Sequence, residues 1–523
     1  MPLLSALPEE LRLFSFTGIV LSFGLFFVLA SLYVVYTCIY NVFLHPLKHI
    51  PGPLLAGASG IPYVLHMRNG SIVPWMKKLH EEYGDAVRVA PDEVSFISGE
   101  TAWPDIYGFR TGKYKNTGPY LKDKSWYLKP LNGVRSIVSA DEETHSRMRK
   151  NLSHAFSDKA LRQQEPLIQG YVDLLVHRLR EHATEGKDVD IMRWYNYATF
   201  DIIADLTFGE PLYCLRDSAY HSWVTLAYGS IKAIGLIATR NKYPLFNYYD
   251  KCRNIFQDTT AHQRARKAFF QISTEKVSQR LEKIGAQGQD EAGRPDFFTH
   301  IIQNQESESK RLTRGEMDVN AQTFLLAGSE TTATILSGAT YLLLTNPSVY
   351  TKLVHEIRST FTDPADITVE RVNKLEYMIA CFQEAFRIYP PVATGFPRVV
   401  PAGGDTISGH YVPGGTAVYV SQHATNHATR NYKDPEVFIP ERWLGDERFK
   451  NDKRETLNPF SFGPRNCLGK NLAYAEMRLI LAKVLFAFDI ELVDKSRDWI
   501  GLQKVFTLWE KDALMVKVKT VQR

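Results

Sequence analysis

The chain opens with a stretch that has no polar face. From Leu13 to Leu47 there is no Asp, Glu, Lys or Arg, and "LFSFTGIVLSFGLFFVLASLYVVYTCIY" is apolar throughout. About 20 apolar residues cross a bilayer, so 13–40 is long enough to span one with some tilt. A cleaved signal peptide would have a shorter apolar core, about 7–15 residues, ending at small residues. This segment is longer and ends in Tyr-rich sequence, so it reads as a retained anchor. Glu9 and Glu10 precede it and Lys48 and Arg68 follow, which puts residues 1–12 in the lumen and the bulk of the chain in the cytosol. "HPLKHIPGPLLAG" then reads as a stiff hinge over 41–55.

Beyond the hinge the pattern is mostly helical. "IVPWMKKLHEEYG" is amphipathic and stops at Gly84. "DAVRVAPDEVSFIS" alternates as a β-hairpin. Helical stretches run from about 140 to 380, among them "EETHSRMRKNLSHAF", "LIQGYVDLLVHRLREHA" and "ATFDIIADLTFG". Pro, Gly and β-branched residues return over 392–422 as short strands, and "IELVDKS" and "ALMVKVKT" alternate near the end. No Gly/Ser-rich linker divides the chain, so 56–523 is expected as one large domain, mainly α with small β-sheets.

One helix differs from the rest. "TRGEMDVNAQTFLLAGSETTATILSGATYLLLTNP" has a capping-box pair at Thr313 and Glu316 and a stop at Asn346-Pro347. The roughly 30 residues between them reach about 45 Å at 1.5 Å per residue. A helix so long and apolar must cross the core, yet its middle reads Ala327-Gly328-Ser329-Glu330-Thr331-Thr332. Thr331 shares a face with Gly328 and Ala327. The small residues would let a flat ligand lie against the helix, and the Thr331 hydroxyl could bond back to the Ala327 carbonyl. Glu330 stands one residue away, and an acid beside a hydroxyl can carry protons into a buried site.

Charge and cysteine content narrow the chemistry. Net charge is +5, and no Lys/Arg run is long enough to suggest nucleic acid. The cysteines, Cys38, Cys214, Cys252, Cys381 and Cys467, are odd in number and far apart. That pattern fits neither a disulfide framework nor a zinc site, and points to reduced thiols.

Two further stretches carry charge or reactivity into apolar surroundings. In "CFQEAFRIYPPV", Glu384 and Arg387 are i and i+3 on one helix face, and Arg442 of the Pro-rich "FIPERWL" could complete a network with them. "FSFGPRNCLG" puts Cys467 in a tight loop directly before the helical pattern "NLAYAEMRLILAKVLFAF". Gly463 and Gly469 allow sharp turns or a close ligand. The helix N-terminus favours a thiolate, and its N–H groups could tune the sulfur. Arg465 could meet an anionic group. A nucleophile would need a His base that the loop does not offer, and zinc would need further ligands at short spacing. Binding to haem iron needs only one protein ligand, a close backbone and cations for the propionates.

In this combination the chain resembles a microsomal cytochrome P-450, a haem-thiolate monooxygenase. AGSETT (327–332), EAFR (384–387), PERW (440–443) and FSFGPRNCLG (460–469) stand in the family's order, and the last fits every fixed position of F-x-x-G-x-R-x-C-x-G. The resemblance covers essentially the whole chain. It implies the family's two-lobed fold around one haem b. It implies Cys467 as iron ligand, in a loop with Phe460, Gly463 and Gly469, and Thr331 with Glu330 as the proton-delivery pair. It implies Glu384, Arg387 and Arg442 as a structural triad behind the haem. Arg398 and Arg465 are implied as propionate partners, with Arg149; His145 stands where the family's W-x-x-x-R has Trp. "HSRMRKNLSHAFSDKAL", "FDIIADLTFGE" and "THATRNYKDPEVFIPERWL" look most like fungal secondary-metabolism members, such as the trichothecene and polyketide-pathway hydroxylases.

The resemblance implies O2, NADPH electrons delivered through a membrane-bound reductase, and an endoplasmic-reticulum location with the catalytic domain in the cytosol. Arg147, Arg149 and Lys150 could belong to a basic docking face. The substrate pocket is expected from 120–135, 220–250, Phe324, Ala327 and 390–396, mostly apolar, which suits a terpenoid or polyketide without selecting one. A haem-thiolate isomerase or dehydratase, and a haem sensor, are the competing readings; neither needs Thr331 and Glu330.

Overall fold

A computed structural model describes residues 15–112, 118–127, 130–253, 261–287, 296–305 and 311–522, without the side chains of 227–233, 253, 261 and 262. The expected lumenal segment 1–12 lies outside these residues. The apolar N-terminal helix, expected as the anchor, runs Phe16–Ile39, capped by Ser15, whose hydroxyl accepts from the Gly18 N–H at 3.0 Å. It continues as a π-helical turn over Tyr40–Leu44, so the apolar rod spans Phe16–Leu44 and is almost wholly exposed. The hinge expected from residue 41 therefore begins only at His45. No Pro or Gly lies between 25 and 45 to stop the helix sooner.

The Pro-rich segment is fastened rather than loose. Leu47 and Ile50 are buried. Arg88 donates its backbone N–H to Pro51 O at 2.8 Å and a guanidinium N–H to Asn41 O at 2.8 Å. A Cβ on Gly52 would come within 2.3 Å of Arg88 O, so only glycine allows this approach.

The hairpin expected over 85–98 forms as β1 (Ala86–Ala90) and β2 (Glu93–Phe96). The later strands are β3 (Leu121–Lys122), β4 (Val189–Asp190), β5 (Arg398–Val399), β6 (Asp405–Ile407), β7 (His410–Val412), β8 (Ala417–Val420), β9 (Phe488–Leu492), β10 (Lys504–Phe506), β11 (Leu508–Glu510) and β12 (Met515–Thr520). They form one mixed sheet in the order β1-β2-β8-β5-β3, with only β2 and β8 parallel, a sheet β4-β12-β9, and two hairpins. The larger sheet brings Lys122 of β3 beside Arg398 of β5.

The central helix, Arg314–Thr345, has the predicted capping box: the Thr313 hydroxyl accepts from Glu316 N, and Glu316 Oε2 accepts from Thr313 N at 2.9 Å. Against it pack the helix Ile191–Phe208, buried along nearly its whole length, and the helix Lys470–Ala487 that follows the cysteine loop. Gly328 is where Ile191–Phe208 crosses: a Cβ there would lie 2.6 Å from the Ile203 side chain. Close helix crossing requires this glycine, which also borders the cavity described below.

Candidate active site

A deep cavity opens beneath the central helix, walled by the cysteine loop, the start of the helix after it, β5 and the helix Glu142–Leu152. Cys467, Gly469, Phe460, Arg465, Arg398, Arg149, His145 and Thr331 all line it. Glu330 and Gly463 do not, and the Glu384–Arg387–Arg442 group stands apart from it.

The loop is held from within. Ser461 takes a positive φ of 61° and Gly463 one of 74°, a short 3-10 turn covers Gly463–Arg465, and Cys467 N–H donates to Phe460 O at 2.8 Å. A Cβ on Gly463 would strike Tyr107 O at 2.0 Å, so this glycine packs the loop onto the helix Gly99–Tyr107. It is not a ligand contact, contrary to expectation. Gly469 does face the cavity, and a Cβ there would touch nothing nearer than the Phe156 ring at 3.8 Å. Phe460 is wedged between Phe386 and Tyr474.

The Cys467 sulfur faces the cavity from deep inside the fold. Burial pushes its thiol up, while the Gly469 N–H and the Arg149 and Lys470 charges pull the other way. Burial thus opposes the thiolate that the helix N-terminus favours, and a cation in the cavity would favour it. Among the described residues no cluster of three His, Cys, Asp or Glu side chains could hold a metal, so a metal ion at this sulfur must bring its other ligands with it. A porphyrin does so.

The rim of the cavity gathers positive charge. Lys122, Arg149, Arg398 and Arg465 converge there around His145, and burial followed by the charges of Arg465, Lys122, Arg149 and Arg398 pulls the imidazole down to about 3, so that it stands neutral among them. Arg398 is buried over the Tyr107 ring, with its Nε bonded to nothing. Arg465 donates to Ala140 O at 2.8 Å and pairs with Glu142; Arg149 clamps Asn466 through its O and Oδ1, at 2.5 and 2.7 Å. Burial, then Arg398 and Arg465, pushes Lys122 well below its ordinary value, so the charge rests chiefly on the three arginines; these around an orphaned donor fit an anionic ligand edge, as two propionates would supply. Lys122 escaped the sequence reading: "YLKDKSWYLKP" offers several lysines, and only the pairing of β3 with β5 selects this one.

On the opposite wall Thr331 Oγ1 donates to Ala327 O at 2.6 Å, as the spacing predicts. Ala327 is open to the cavity. Glu330 points elsewhere: it is 2% exposed and ion-paired with Lys511, which also donates to Thr334 Oγ1 at 2.8 Å. The acid and the alcohol thus sit on different sides of the helix, which turns about 100° between adjacent residues. Among the described side chains lining the cavity, the one carboxylate is Glu476, buried and unmentioned by any motif.

The ion-pair group is complete. Arg387 donates to both Glu384 oxygens at 2.9 and 2.7 Å, Arg442 Nε to Oε1 at 3.0 Å, and the Trp443 indole to Oε2 at 2.9 Å, with all three charged side chains at 0% exposure. Asp452 pairs with the far side of Arg442, a fourth charge that no spacing rule indicated. The basic face on Glu142–Leu152 is smaller than expected. Arg147 pairs with Glu316 and Arg149 turns inward, leaving Lys150 in solvent.

Phe324, Ala327, Pro391, Val392, Thr394, Gly395 and Phe396 line the cavity as anticipated, with Trp103, Ile137 and Ile335, whereas Pro390 and Ala393 do not. Residues 128 and 129 and the side chains of 227–233 lie outside the described residues. Among the described side chains none of 220–250 lines the cavity, and of 120–135 only Lys122 does, so these two parts of the expected pocket are not found there.

The cytochrome P450 family model matches residues 57–517. The chain belongs to the cytochrome P450 family. A cytochrome P450 monooxygenase of Purpureocillium lilacinum is 48% identical over 512 residues, covering 97% of this chain and 96% of its own. One of Penicillium crustosum is 46% identical (95% and 97% covered), and averantin hydroxylase of Dothistroma septosporum is 42% identical (92% and 88%). The chain is accordingly a haem-thiolate monooxygenase of the fungal secondary-metabolism type, drawing electrons from NADPH through a reductase and taking O2 and a small organic substrate. The apolar N-terminal helix, small sheets and helical core agree with the P450 fold expected from the motifs.

Proposed function

We propose that this P450 sits on the endoplasmic-reticulum membrane with its catalytic domain in the cytosol, and hydroxylates or epoxidises a lipophilic terpenoid or polyketide. The single observation that carries the site assignment is the Cys467 sulfur facing a cavity ringed by cations, with the Gly469 N–H beside it. Cys467 would hold the haem iron, and Arg398, Lys122, His145, Arg149 and Arg465 the propionates. Bound there, haem supplies O2 activation, with the thiolate favouring O–O cleavage.

The chain's own residues do the rest. Phe324, Ile335, Val392 and Phe396 exclude water and orient an apolar substrate. Thr331 holds a hydroxyl at the cavity wall, where it can pass a proton inward, and Glu330 is the acid that feeds it. Glu384, Arg387 and Arg442 fix the backbone of 426–439, through Asn426 O, Lys433 O, Pro435 O, Val437 O and Ile439 N. The apolar lining and the hydroxylase among the relatives support an unactivated C–H bond as the target.

The test is spectroscopic and then chemical. The purified protein with dithionite and carbon monoxide should give the long-wavelength Soret band of a thiolate–haem adduct, and Cys467→Ser should lose it. With reductase, NADPH and candidate metabolites, one oxygen atom from labelled O2 should enter the product. A short-wavelength band alone in the wild type would remove Cys467 as ligand. Product formed without NADPH would favour the isomerase reading.

A further inference from the structure

Behind one wall of the cavity lies a second, much smaller void. Its open volume is about 10 Å³, room for a single water-sized group. Thr394 and Gly395 border both chambers, so at this point the wall is a single stretch of chain. Tyr63, Tyr419 and Ser421 close the void from the other side. Gly395 is needed for this arrangement, because a Cβ there would lie 2.5 Å from the Tyr419 ring.

Two hydroxyls at the void bond to nothing. Thr394 Oγ1 and Tyr419 OH are both buried and lack a hydrogen-bond partner among the described residues. Burial, followed by the Glu93 charge, raises the Tyr419 phenol well above the ordinary tyrosine value, so it keeps its proton and can donate. Glu93 is itself half-used: the Lys242 ammonium holds Oε2, and Oε1 bonds to nothing. Buried hydroxyls without partners are costly, and two of them beside a hole for one oxygen call for one more polar group. On the main-cavity side the neighbouring wall is apolar, with Val392 and Phe396 two residues either side of Thr394. A polar group of a bound molecule therefore has one place to go along this wall.

We propose that Thr394 and Tyr419 form a polar subsite that receives one hydroxyl of the substrate. Tyr419 donates to that oxygen, and the Thr394 hydroxyl accepts its proton. The substrate is then an apolar body that already carries oxygen, of the phenolic polyketide or terpenoid alcohol class. The reaction that supplies it must leave a hydroxyl in place, and this enzyme adds its oxygen at a different carbon. The inference rests on reading the main cavity as the pocket of a lipophilic substrate, and it narrows that class.

The competing occupant is an ordered water that stays when substrate binds. Two pairs of probes separate the alternatives: naphthalene with 2-naphthol, and decalin with 2-decalol. Each is titrated into the haem-loaded full-length protein, and the low-spin to high-spin shift of the Soret band reports occupancy of the cavity. A hydroxyl is reluctant to leave water, so an apolar cavity alone favours the hydrocarbon of each pair. The subsite should reverse this in at least one pair, with the hydroxylated member about tenfold tighter or more. The pair that shows it tells a phenolic from an alicyclic body. Tyr419→Phe and Thr394→Val should each cut the preference several-fold and leave hydrocarbon binding within about twofold of the wild type.

Equal or tighter binding of both hydrocarbons in the wild type overturns the proposal and leaves the void to water. A preference that survives either variant overturns it too. Should Tyr419→Phe fail to retain haem, Thr394→Val decides alone, since valine keeps the shape of threonine and removes only the hydroxyl. If no probe moves the Soret band although carbon monoxide gives the thiolate–haem spectrum, the lipophilic-substrate reading fails and the subsite with it.

Discussion

Gly463 and Gly469 stand six residues apart in one loop and do different work. Gly463 needs its positive φ and has Tyr107 O where a Cβ would go, so Gly463→Ala should cost roughly 2 kcal/mol or more through backbone conformation and overlap. Gly469 has an ordinary φ and only the Phe156 ring near it, so Gly469→Ala should leave the unfolding midpoint almost unchanged and lower haem retention instead. Denaturant titration together with the haem-to-protein absorbance ratio checks both. Equal effects on both readouts would mean that the loop responds as a unit. The motif marks both glycines but does not separate them, because neither Tyr107 nor Phe156 is near the loop in sequence. The same limit hid Lys122 and Lys511: a lysine becomes a site residue only when distant strands deliver it, whereas Thr331 and Ala327 are four residues apart and could be read directly.

At the scale of elements, local spacing was a good guide wherever one segment supplies both partners. The capping box at Thr313 and Glu316, the stop at Gly84 and the Glu384–Arg387 pair are of this kind. Asp452 was invisible because it reaches Arg442 from an irregular segment without periodicity. Glu384→Gln would leave Arg387 and Arg442 buried beside a neutral amide, a loss of about 3–5 kcal/mol by analogy with broken buried pairs. The expected outcome is little haem protein recovered at 37 °C, with recovery improving at lower expression temperature. A second element-level device is titratable. His80, near the end of the helix Ile72–Tyr83, bonds Gly84 O and Ser95 Oγ, each at 2.8 Å, and burial pulls it down to about 4. The neutral ring is thus favoured in the folded state. Its stabilisation is present above the ordinary histidine value and lost as pH falls through the window between that value and about 4. From pH 7 to 5.5 it should remove about 1 kcal/mol, with each pKa unit worth about 1.4 kcal/mol. His80→Gln, measured by denaturant midpoint at both pH values, should show a correspondingly smaller decline than the wild type. An identical decline would locate the pH sensitivity elsewhere.

For the whole molecule, the question is where the anchor ends and the catalytic body begins. The apolar rod reaches Leu44, but the body already holds the chain at Asn41, through Arg88, and buries Leu47 and Ile50. Two truncations should therefore behave differently. Removing residues 1–44 takes away the exposed rod and the two Asn41 hydrogen bonds, to Arg88 and Ala58, but no buried apolar side chain of the Pro-rich segment, so the carbon monoxide spectrum should be kept and the thermal midpoint should fall only slightly. Removing 1–52 also strips Leu47, Ile50 and the Pro51–Arg88 bond. Each buried apolar side chain is worth about 1.5–3 kcal/mol, and the midpoint should fall by several degrees. Neither truncation removes Leu54 and Leu55, which are 73% and 75% exposed just past the collar. The shorter truncation should thus leave part of the protein on membranes. High salt should not release that remainder, because the contact is apolar, whereas mild detergent should. Sedimentation with microsomes under the three conditions reads this out, and complete release by salt would mean that charge, not Leu54 and Leu55, holds the body to the bilayer.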